Sequence, residues 1–187
     1  MTEEEAEPII IELGDSGLIA WIDEEDRPLT DVQWNLKQAG RKDQPTYYAY
    51  RQWRVNRARG EYYLHNEVWE RMMNAPLPHG FLVDHINQDK LDNRRCNLRL
   101  ATRMDNEANK RKRRTQAGGA PSSGYKGVSK VKDGRKKCWR ATLTYEKQQK
   151  ALGSFYTERE AAEAYNEAAI EYFAGFAHLN VFDDSDS

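Results

Sequence analysis

The feature that most constrains this sequence is the pattern of polar residues between positions 81 and 110. An apolar run ends in the adjacent pair Asp84 and His85, which predicts a buried strand that delivers two polar side chains at its exit. Turn-forming residues follow, and residues 97–100 predict a short strand that pairs back. A capping-box-like pattern at residues 102–105 predicts the start of a helix. The order strand, strand, helix indicates a small active-site scaffold.

The residue types in this pattern suit phosphodiester hydrolysis. Asn97 and Asn106 follow His85 after twelve and twenty-one residues. A neutral imidazole, with an unperturbed pKa of about 6.5, can accept a proton from water. Carboxylate and amide oxygens are ligands for hard divalent cations, which stabilise charge on a phosphate. The alternative is that Asp84 and His85 merely end a strand, with hydrogen bonds satisfying both side chains.

The segment that carries the pattern reads Val-Asp-His-Ile-Asn-Gln-Asp-Lys-Leu-Asp-Asn-Arg-Arg-Cys-Asn-Leu-Arg-Leu-Ala-Thr-Arg-Met-Asp-Asn, residues 83–106. It resembles the HNH endonucleases, in the version found in phage-type homing endonucleases where the final His is an Asn. The resemblance implies a ββα-metal fold with one divalent metal ion, Mg²⁺ or Mn²⁺. It makes Asp84 and Asn106 the metal ligands, His85 the general base and Asn97 a brace of the ββα loop. A retained fold with lost activity is the milder alternative.

The formal net charge of −1 conceals a strong separation of charge along the chain. Residues 1–31 hold eleven acidic residues and one basic residue, whereas residues 94–150 hold eighteen basic and four acidic ones. A stretch this basic is typical of contact with a phosphate backbone. It includes five consecutive basic residues, for which direct DNA contact is favoured over a nuclear import signal: Lys110, Arg111, Lys112, Arg113 and Arg114.

Residues 9–80 predict a small β-rich lead-in that packs on the nuclease motif. Strands are expected near residues 9–13, 18–22, 32–34, 47–53 and 61–65, and a short helix at 68–73. Four arginines lie among aromatic residues here, an arrangement that can grip phosphate but is as often a core with solvent-facing arginines: Arg51, Arg54, Arg57 and Arg59. His65 either supports the active site or is a hydrogen-bonded structural residue, and the second interpretation is favoured.

A second folding unit is expected after the Gly-, Pro- and Ser-rich stretch 115–122, which predicts a linker. Strict alternation of apolar and polar residues at 138–145 predicts a strand, flanked by strands at 125–129 and 150–156. Thr157 and Glu160 form a capping-box pattern before a helix of alanine and aromatic residues, which ends at Gly175.

Residues 123–182 resemble the Apetala2/ethylene-response-factor (ERF) DNA-binding domain, through Ser-Gly-Tyr-Lys-Gly-Val, Trp-Arg-Ala, Leu-Gly-Ser-Phe, Glu-Ala-Ala-Glu-Ala-Tyr and His-Leu-Asn-Val-Phe. That family lays its sheet in the DNA major groove. The resemblance implies a DNA-facing sheet surface of Lys126, Ser129, Arg140, Thr142, Thr144 and Gln149. Phosphate contacts are expected from Lys130, Lys132, Lys136, Lys137 and Lys150. The sequence departs from the plant pattern at Ser129 and Thr144, where plant members have arginines that touch bases.

Composition limits the class of protein. The chain is 39% hydrophobic and 32% charged, with no run of 18 apolar residues and no signal-like segment. We therefore expect no membrane partner, no secretion, and a cytoplasmic location in a phage-infected bacterial host cell. Cys96 and Cys138 lack Cys-x-x-Cys spacing, so reduced thiols are expected and a structural zinc site is excluded.

The predicted fold class is α+β: a β-rich N-terminal lead-in packed on a ββα-metal (HNH) nuclease motif, then a linker and a three-stranded antiparallel sheet with one helix. The predicted segments are an acidic tail at 1–8, an HNH endonuclease domain at 9–114 with its core motif at 81–110, a linker at 115–122, an ERF-type domain at 123–182 and an acidic tail at 183–187.

The expected function is a metal-dependent DNA endonuclease of the phage homing type that acts on double-stranded DNA and leaves 5′-phosphate and 3′-hydroxyl ends. One motif per chain predicts nicking by a monomer, and a double-strand break from a homodimer or sequential nicks. Two alternatives stay open. One is a non-catalytic DNA-binding transcriptional regulator that retains an inactive nuclease scaffold. The other is an interaction protein whose acidic N-terminus covers the basic surface until a partner displaces it.

Overall fold

The computed structural model describes residues 7–42, 44–110, 123–131 and 136–182 of the chain. The chain separates into two compact units that divide between Thr102 and Arg103. The expected linker at 115–122 lies outside the described residues. Helices and small antiparallel sheets occur in both units, so the prediction of an α+β protein is confirmed.

The first unit is built from short strands around one helix. Its elements are β1 (Ile9–Glu12), β2 (Ile19–Ile22), β3 (Asn35–Arg41), β4 (Gln44–Val55), β5 (Ala58–Tyr63), α1 (Leu64–Met73), β6 (Leu82–His85) and β7 (Leu98–Ala101). Strands β1 and β2 pair with each other, β6 pairs with β7, and β4 lies between β3 and β5, all antiparallel. The described part of the unit also has short 3-10 helices at Gly14–Ser16, Glu24–Asp31 and Arg95–Asn97.

Helix α1 begins earlier than the sequence pattern predicts. The expected strand at 61–65 stops at Tyr63, and the helix starts at Leu64 rather than at Val68. Leu64, Val68 and Trp69 are buried at helical spacing, so the core side of α1 already includes its first residue. The predicted start of the helix was wrong because the aromatic residues before Leu64 have strand propensity, so the sequence pattern continues the strand past the first residue of the helix.

One hydrophobic core joins the lead-in to the strands of the predicted nuclease motif. It contains buried side chains from β1, β2, β4, α1, β6 and β7 and the segments between them: Ile11, Leu13, Ala20, Ile22, Leu29, Trp34, Ala49, Leu64, Val68, Trp69, Val83 and Leu98. Burial of this kind contributes about 25 cal/mol for each Å² of apolar surface, so the lead-in and the motif stabilise each other.

The lead-in also attaches to the loop between β6 and β7 through its backbone. The Trp21 N–H donates to the Leu91 carbonyl at 2.9 Å, and the Asn93 N–H donates to the Trp21 carbonyl at 2.8 Å. The fully buried carboxylate of Asp26 accepts hydrogen bonds from Arg95 Nε at 2.7 Å and Nη2 at 3.0 Å. Strand β2 and the following 3-10 helix therefore fix both ends of this short loop segment.

The second unit contains α2 (Arg103–Asn109), β8 (Val128–Lys130), β9 (Trp139–Tyr145), β10 (Gln148–Phe155) and α3 (Glu158–Phe173). Strand β9 is the centre of a three-stranded antiparallel sheet, with β8 and β10 on its two sides. Ala141 and Leu143 of β9 are buried and pack toward alanines and aromatic residues of α3. The predicted alternation in β9 and the capping box of α3 are confirmed. The helix ends at Phe173, two residues before Gly175.

A close approach of helix to sheet in this unit depends on Gly127. Its φ of 75° lies in the left-handed region, and a Cβ there would come within 2.0 Å of a ring carbon of Tyr165. Glycine is the residue that allows the backbone before β8 to lie against the aromatic ring of α3.

Candidate active site

Asp84 and His85 form the buried end of β6. Each side chain is only 1% exposed, and the two residues pair across the sheet with Arg99 and Leu98 of β7. Buried ionisable groups are uncommon unless other charges or hydrogen bonds compensate them. The predicted catalytic pair is therefore buried, and neighbouring protein groups must balance the charge of Asp84.

Two cations supply that balance for Asp84. Arg99 donates to Oδ2 of Asp84 from Nε at 3.2 Å and from Nη2 at 3.1 Å. The ammonium of Lys90 lies 3.5 Å from Oδ1. Both carboxylate oxygens thus face positive charge, as they would beside a bound metal ion. Neither Arg99 nor Lys90 stood out in the sequence, because basic residues are frequent throughout this stretch.

Asn93 faces His85, and its side-chain orientation is fixed by a second bond. The amide Nδ2 of Asn93 donates to the Leu91 carbonyl at 2.9 Å, which turns Oδ1 toward His85 Nε2 at 3.3 Å. An amide oxygen can only accept, so Nε2 carries the proton and the lone pair of the imidazole lies on Nδ1. From the sequence Asn93 reads only as a turn residue, and its contact with His85 needs the folded loop.

Burial, together with the positive charge of Lys90, lowers the pKa of His85 to about 3, although the hydrogen bond with Asn93 has a smaller raising effect. The imidazole is therefore neutral at physiological pH. An anionic phosphate placed beside it would raise this pKa toward the range in which a histidine is an effective base.

Asn97 joins the two sides of the loop between β6 and β7. Its Oδ1 accepts from the Asn87 N–H at 3.0 Å, and its Nδ2 donates to the Asp92 carbonyl at 2.7 Å. The Ile86 N–H also donates to the Asn97 carbonyl at 2.9 Å. With these bonds the side chain spans the loop, which is the geometry expected of the predicted brace.

His65 contributes to an aromatic layer behind the catalytic pair. Its ring lies edge-on to His85 with centroids 5.0 Å apart, and Tyr48 and Tyr63 flank it at 5.8 and 5.5 Å. Among the described residues its Nδ1 has no hydrogen-bond partner, so the favoured interpretation of a hydrogen-bonded structural histidine was wrong for this nitrogen. Burial lowers the pKa of His65 well below its usual value, and the neighbouring His85 and Lys90 lower it further.

The other predicted metal ligand, Asn106, lies half-buried on α2 of the second unit. That helix packs into the second unit through Ala108, which is buried with Leu143, Tyr165 and Phe173. A second contact comes from Lys126, whose Nζ donates to the carbonyls of Ala108 and Lys110 at 2.6 Å each. A cation at this end of a helix is favourable, because it lies at the negative end of the helix dipole.

Lys126 therefore differs from the exposed DNA contact that the sequence predicts. The ammonium is held by two backbone carbonyls, and burial lowers its pKa to about 8. Lys150 also points away from the open face of the sheet, since its Nζ donates to the Tyr172 hydroxyl of α3 at 2.9 Å. The ammonium groups of Lys130 and Lys137 lie over the rings of Trp139 and Tyr156.

The remaining predicted DNA contacts fall into three groups. Arg140 and Thr144 are exposed and Thr142 is half-buried on the face of β9 opposite to Ala141 and Leu143. Lys110 forms an ion pair with Glu107. Ser129, Lys136 and Gln149 are also exposed, and five further predicted contacts lie outside the described residues: Arg111, Lys112, Arg113, Arg114 and Lys132.

The two predicted metal ligands carry suitable donor atoms. Asp84 has carboxylate oxygens and Asn106 has an amide oxygen, which are the hard ligands that Mg²⁺ and Mn²⁺ prefer. The buried carboxylate of Asp84 is balanced by Lys90 and Arg99 in this structure. Within the described ranges no three His, Cys, Asp or Glu side chains come close enough together to hold a metal ion.

The chain is similar to known proteins over the segment that contains Asp84 and His85. Residues 62–108 match the family model described as HNH endonuclease. This segment is therefore similar to HNH endonuclease domains. The matched segment covers α1, β6, β7 and most of α2, and it includes Asp84, His85, Asn97 and Asn106. The resemblance of residues 123–182 to the ERF domain stays a prediction.

Two curated relatives share the sequence over longer stretches. A protein named Uncharacterized HNH endonuclease L560, from Acanthamoeba polyphaga mimivirus, is 32% identical over 124 residues, which are 66% of this chain and 60% of the relative. Protein 3.8 of Escherichia phage T7 is 36% identical over 85 residues, which are 46% of this chain and 64% of the relative. The chain thus spans somewhat less than two thirds of each relative. No solved structure matches it. In the part of the chain that the structure describes, no helix is long and apolar enough to cross a membrane.

Proposed function

We propose that this protein is a metal-dependent DNA endonuclease of the phage homing type, which hydrolyses phosphodiester bonds in duplex DNA. The observation that carries the proposal is the buried pair Asp84 and His85 at the end of β6, with the His85 tautomer set by Asn93. The HNH domain match supports a nuclease, and the basic stretch from residue 94 to 150 supports a nucleic-acid substrate.

In the proposed reaction, Nδ1 of His85 takes a proton from a water molecule that attacks the scissile phosphorus. The new P–O bond forms as the bond from phosphorus to the 3′ oxygen breaks, and the leaving oxygen gains a proton from solvent. The products are 5′-phosphate and 3′-hydroxyl ends. A Mg²⁺ or Mn²⁺ ion held by the oxygens of Asp84 and Asn106 would supply positive charge against the phosphate and the leaving oxygen.

The rest of the proposed site holds these groups in position. Asn97 fixes the loop between β6 and β7, Arg99 orients the carboxylate of Asp84, and the aromatic layer around His65 keeps bulk water from that side of the imidazole. A domain with one such site per chain nicks one strand, so a double-strand break needs two chains or two sequential events.

The first test is cleavage of supercoiled plasmid by the purified protein with Mg²⁺ or Mn²⁺. The His85→Ala variant should lose nicking, and a chelator should abolish it in the unsubstituted protein. His79→Ala is the matched control, because His79 is exposed and has no predicted chemistry.

A second candidate function is the non-catalytic DNA-binding regulator. It is favoured by the two ion pairs of Asp84, which already neutralise the carboxylate that a metal ion would need. DNA binding without cleavage in either metal, on phage DNA as well as on plasmid, would replace the nuclease proposal with this one.

A further inference from the structure

The hairpin of β4 and β5 extends beyond the three-stranded sheet to which it belongs. Strand β3 pairs with β4 only as far as Tyr50, whereas the pairing of β4 with β5 continues to Val55 and Ala58. The turn that follows uses Asn56 with a φ of 55°. Residues 51–60, which we call the arm, therefore form a two-stranded ribbon, and its residues from 52 to 59 are all exposed.

The arm carries only positive charge. It contains four arginines and no acidic residue: Arg51, Arg54, Arg57 and Arg59. Arg51 is neutralised at the base of the arm by Glu67, at 2.8 Å. The other three are exposed and make no ion pair with any described residue. Three unneutralised guanidinium groups therefore project from a ribbon that is narrow enough to enter a groove of duplex DNA.

Two of these arginines lie directly opposite each other. Arg54 of β4 pairs with Arg59 of β5, and like charges at paired positions destabilise a sheet. An isolated two-stranded ribbon has little stability of its own to offset this repulsion. A polyanion that lies along the arm offsets the repulsion between the two arginines, because each guanidinium can bind a phosphate oxygen.

The arginine pair shares a sheet face with the residues that surround the catalytic histidine. Side chains alternate along a strand, so the pairs Tyr50–Tyr63 and Arg54–Arg59 lie on the same face, with one pair between them. Tyr63 packs 5.5 Å from His65, and His65 lies 5.0 Å from His85. One continuous face thus connects the arm to the candidate active site within the first unit.

We propose that the arm binds the phosphate backbone of the duplex that is being cut, beside the cleavage site. From Tyr48, which flanks His65, to Arg54 is six residues, or at most about 20 Å along an extended strand. The ring contacts from Tyr48 to His65 and from His65 to His85 add 5.8 and 5.0 Å. At a rise of about 3.4 Å for each base pair, the contact falls within roughly nine base pairs of the scissile bond. This inference rests on the proposed function, since it takes DNA as the substrate of the HNH domain.

The test compares Arg54→Gln/Arg59→Gln with a control that removes the same charge elsewhere, Arg27→Gln/Arg159→Gln. Arg27 is exposed and Arg159 is half-buried, and each is paired with a neighbouring glutamate. Binding of a duplex of about 30 base pairs is measured by fluorescence anisotropy in EDTA, between about 50 and 200 mM salt. The arm variant should lower the slope of log Kd against log salt by about two, with roughly tenfold weaker binding at low salt, and the control should not.

Plasmid nicking by the same proteins separates this inference from the nuclease proposal. If the arm variant binds DNA more weakly but the unsubstituted protein never nicks plasmid, the proposal for the arm is supported and only the nuclease proposal fails. If the proteins nick plasmid but the slope of log Kd against log salt is the same in the arm variant and the control, the proposal for the arm is rejected and the nuclease proposal stands. Where nicking occurs, the arm variant should raise KM and leave kcat unchanged, because the arm is remote from the reacting atoms.

Discussion

Replacing Asn93 with alanine is the sharpest test of how His85 is prepared for catalysis. The substitution removes the oxygen that faces Nε2 at 3.3 Å and the amide that donates to the Leu91 carbonyl at 2.9 Å. A hydrogen bond of this kind is worth about 1 kcal/mol net, and each 1.36 kcal/mol is a tenfold change in rate. With the orientation of the ring also relaxed, we expect single-turnover nicking of supercoiled plasmid to slow by roughly tenfold.

The same substitution also lowers stability, because a buried ring N–H loses its partner and the Leu91 carbonyl keeps only its hydrogen bond from the Trp21 N–H. The cost is about 2 kcal/mol, which lowers Tm by roughly 4–8 °C for a chain of this length. Nicking must therefore be measured well below the lower Tm. Asn93→Asp keeps an acceptor oxygen for Nε2, so its nicking rate should stay within a few-fold of the unsubstituted protein although its Tm falls.

A double-mutant cycle with His85→Ala decides between a positioning role and a merely structural one. If Asn93 acts through the imidazole, Asn93→Ala slows the unsubstituted protein and has little effect on the residual cleavage of the His85→Ala variant. An equal slowing in both backgrounds would refute this role. Nitrogen-15 NMR of the imidazole gives an independent readout, since the Nε2–H tautomer of His85 should dominate in the unsubstituted protein and lose that dominance in Asn93→Ala.

Three further predictions concern stability. Asp26→Asn should cost about 2–3 kcal/mol in thermal unfolding, because Arg95 keeps its charge without a buried counterion but can still reach solvent; an unchanged Tm would contradict this. Burial raises the pKa of Asp92, but hydrogen bonds from Arg94 and other groups outweigh it, so the net pKa is lowered. The stability that Asp92 contributes should be complete above about pH 4 and lost as the pH falls through its lower folded pKa, a loss that Asp92→Asn should not show in acid unfolding followed by circular dichroism. Gly127→Ala should cost more than about 2 kcal/mol, since the new Cβ meets an aromatic ring in a left-handed backbone; a fully stable variant would show that the second unit relaxes there.

The sequence predicted the elements whose residues are close together in the chain. The end of β6 at His85, the alternation in β9 and the capping box of α3 each depend on fewer than ten neighbouring residues, and all are found. Asp84 and His85 could be proposed as a catalytic pair because Asn97 and Asn106, twelve and twenty-one residues after His85, complete a pattern that resembles the HNH endonucleases.

The environment of that pair could not be predicted in the same way. Asn93 contacts His85 only when the loop is folded, and the loop is held by Trp21, which is about seventy residues earlier in sequence. Lys126 looked like a surface charge, yet it is held by backbone carbonyls at the end of α2. Such contacts are set by tertiary packing, and no periodicity in the sequence records them.

The backbone hydrogen bonds of Trp21 with Leu91 and Asn93 determine which fragment of this chain could be moved into another protein with its loop intact. A fragment that starts at residue 62, where the HNH family match begins, would leave the Leu91 carbonyl and the Asn93 N–H without their partner strand. It would also lack Asp26, the buried counterion of Arg95. A fragment that keeps these contacts must therefore begin upstream of β2. Chimaeras that exchange only residues 62–108 should contain the residues of the motif but lack the contacts that hold the loop between β6 and β7 in its folded conformation.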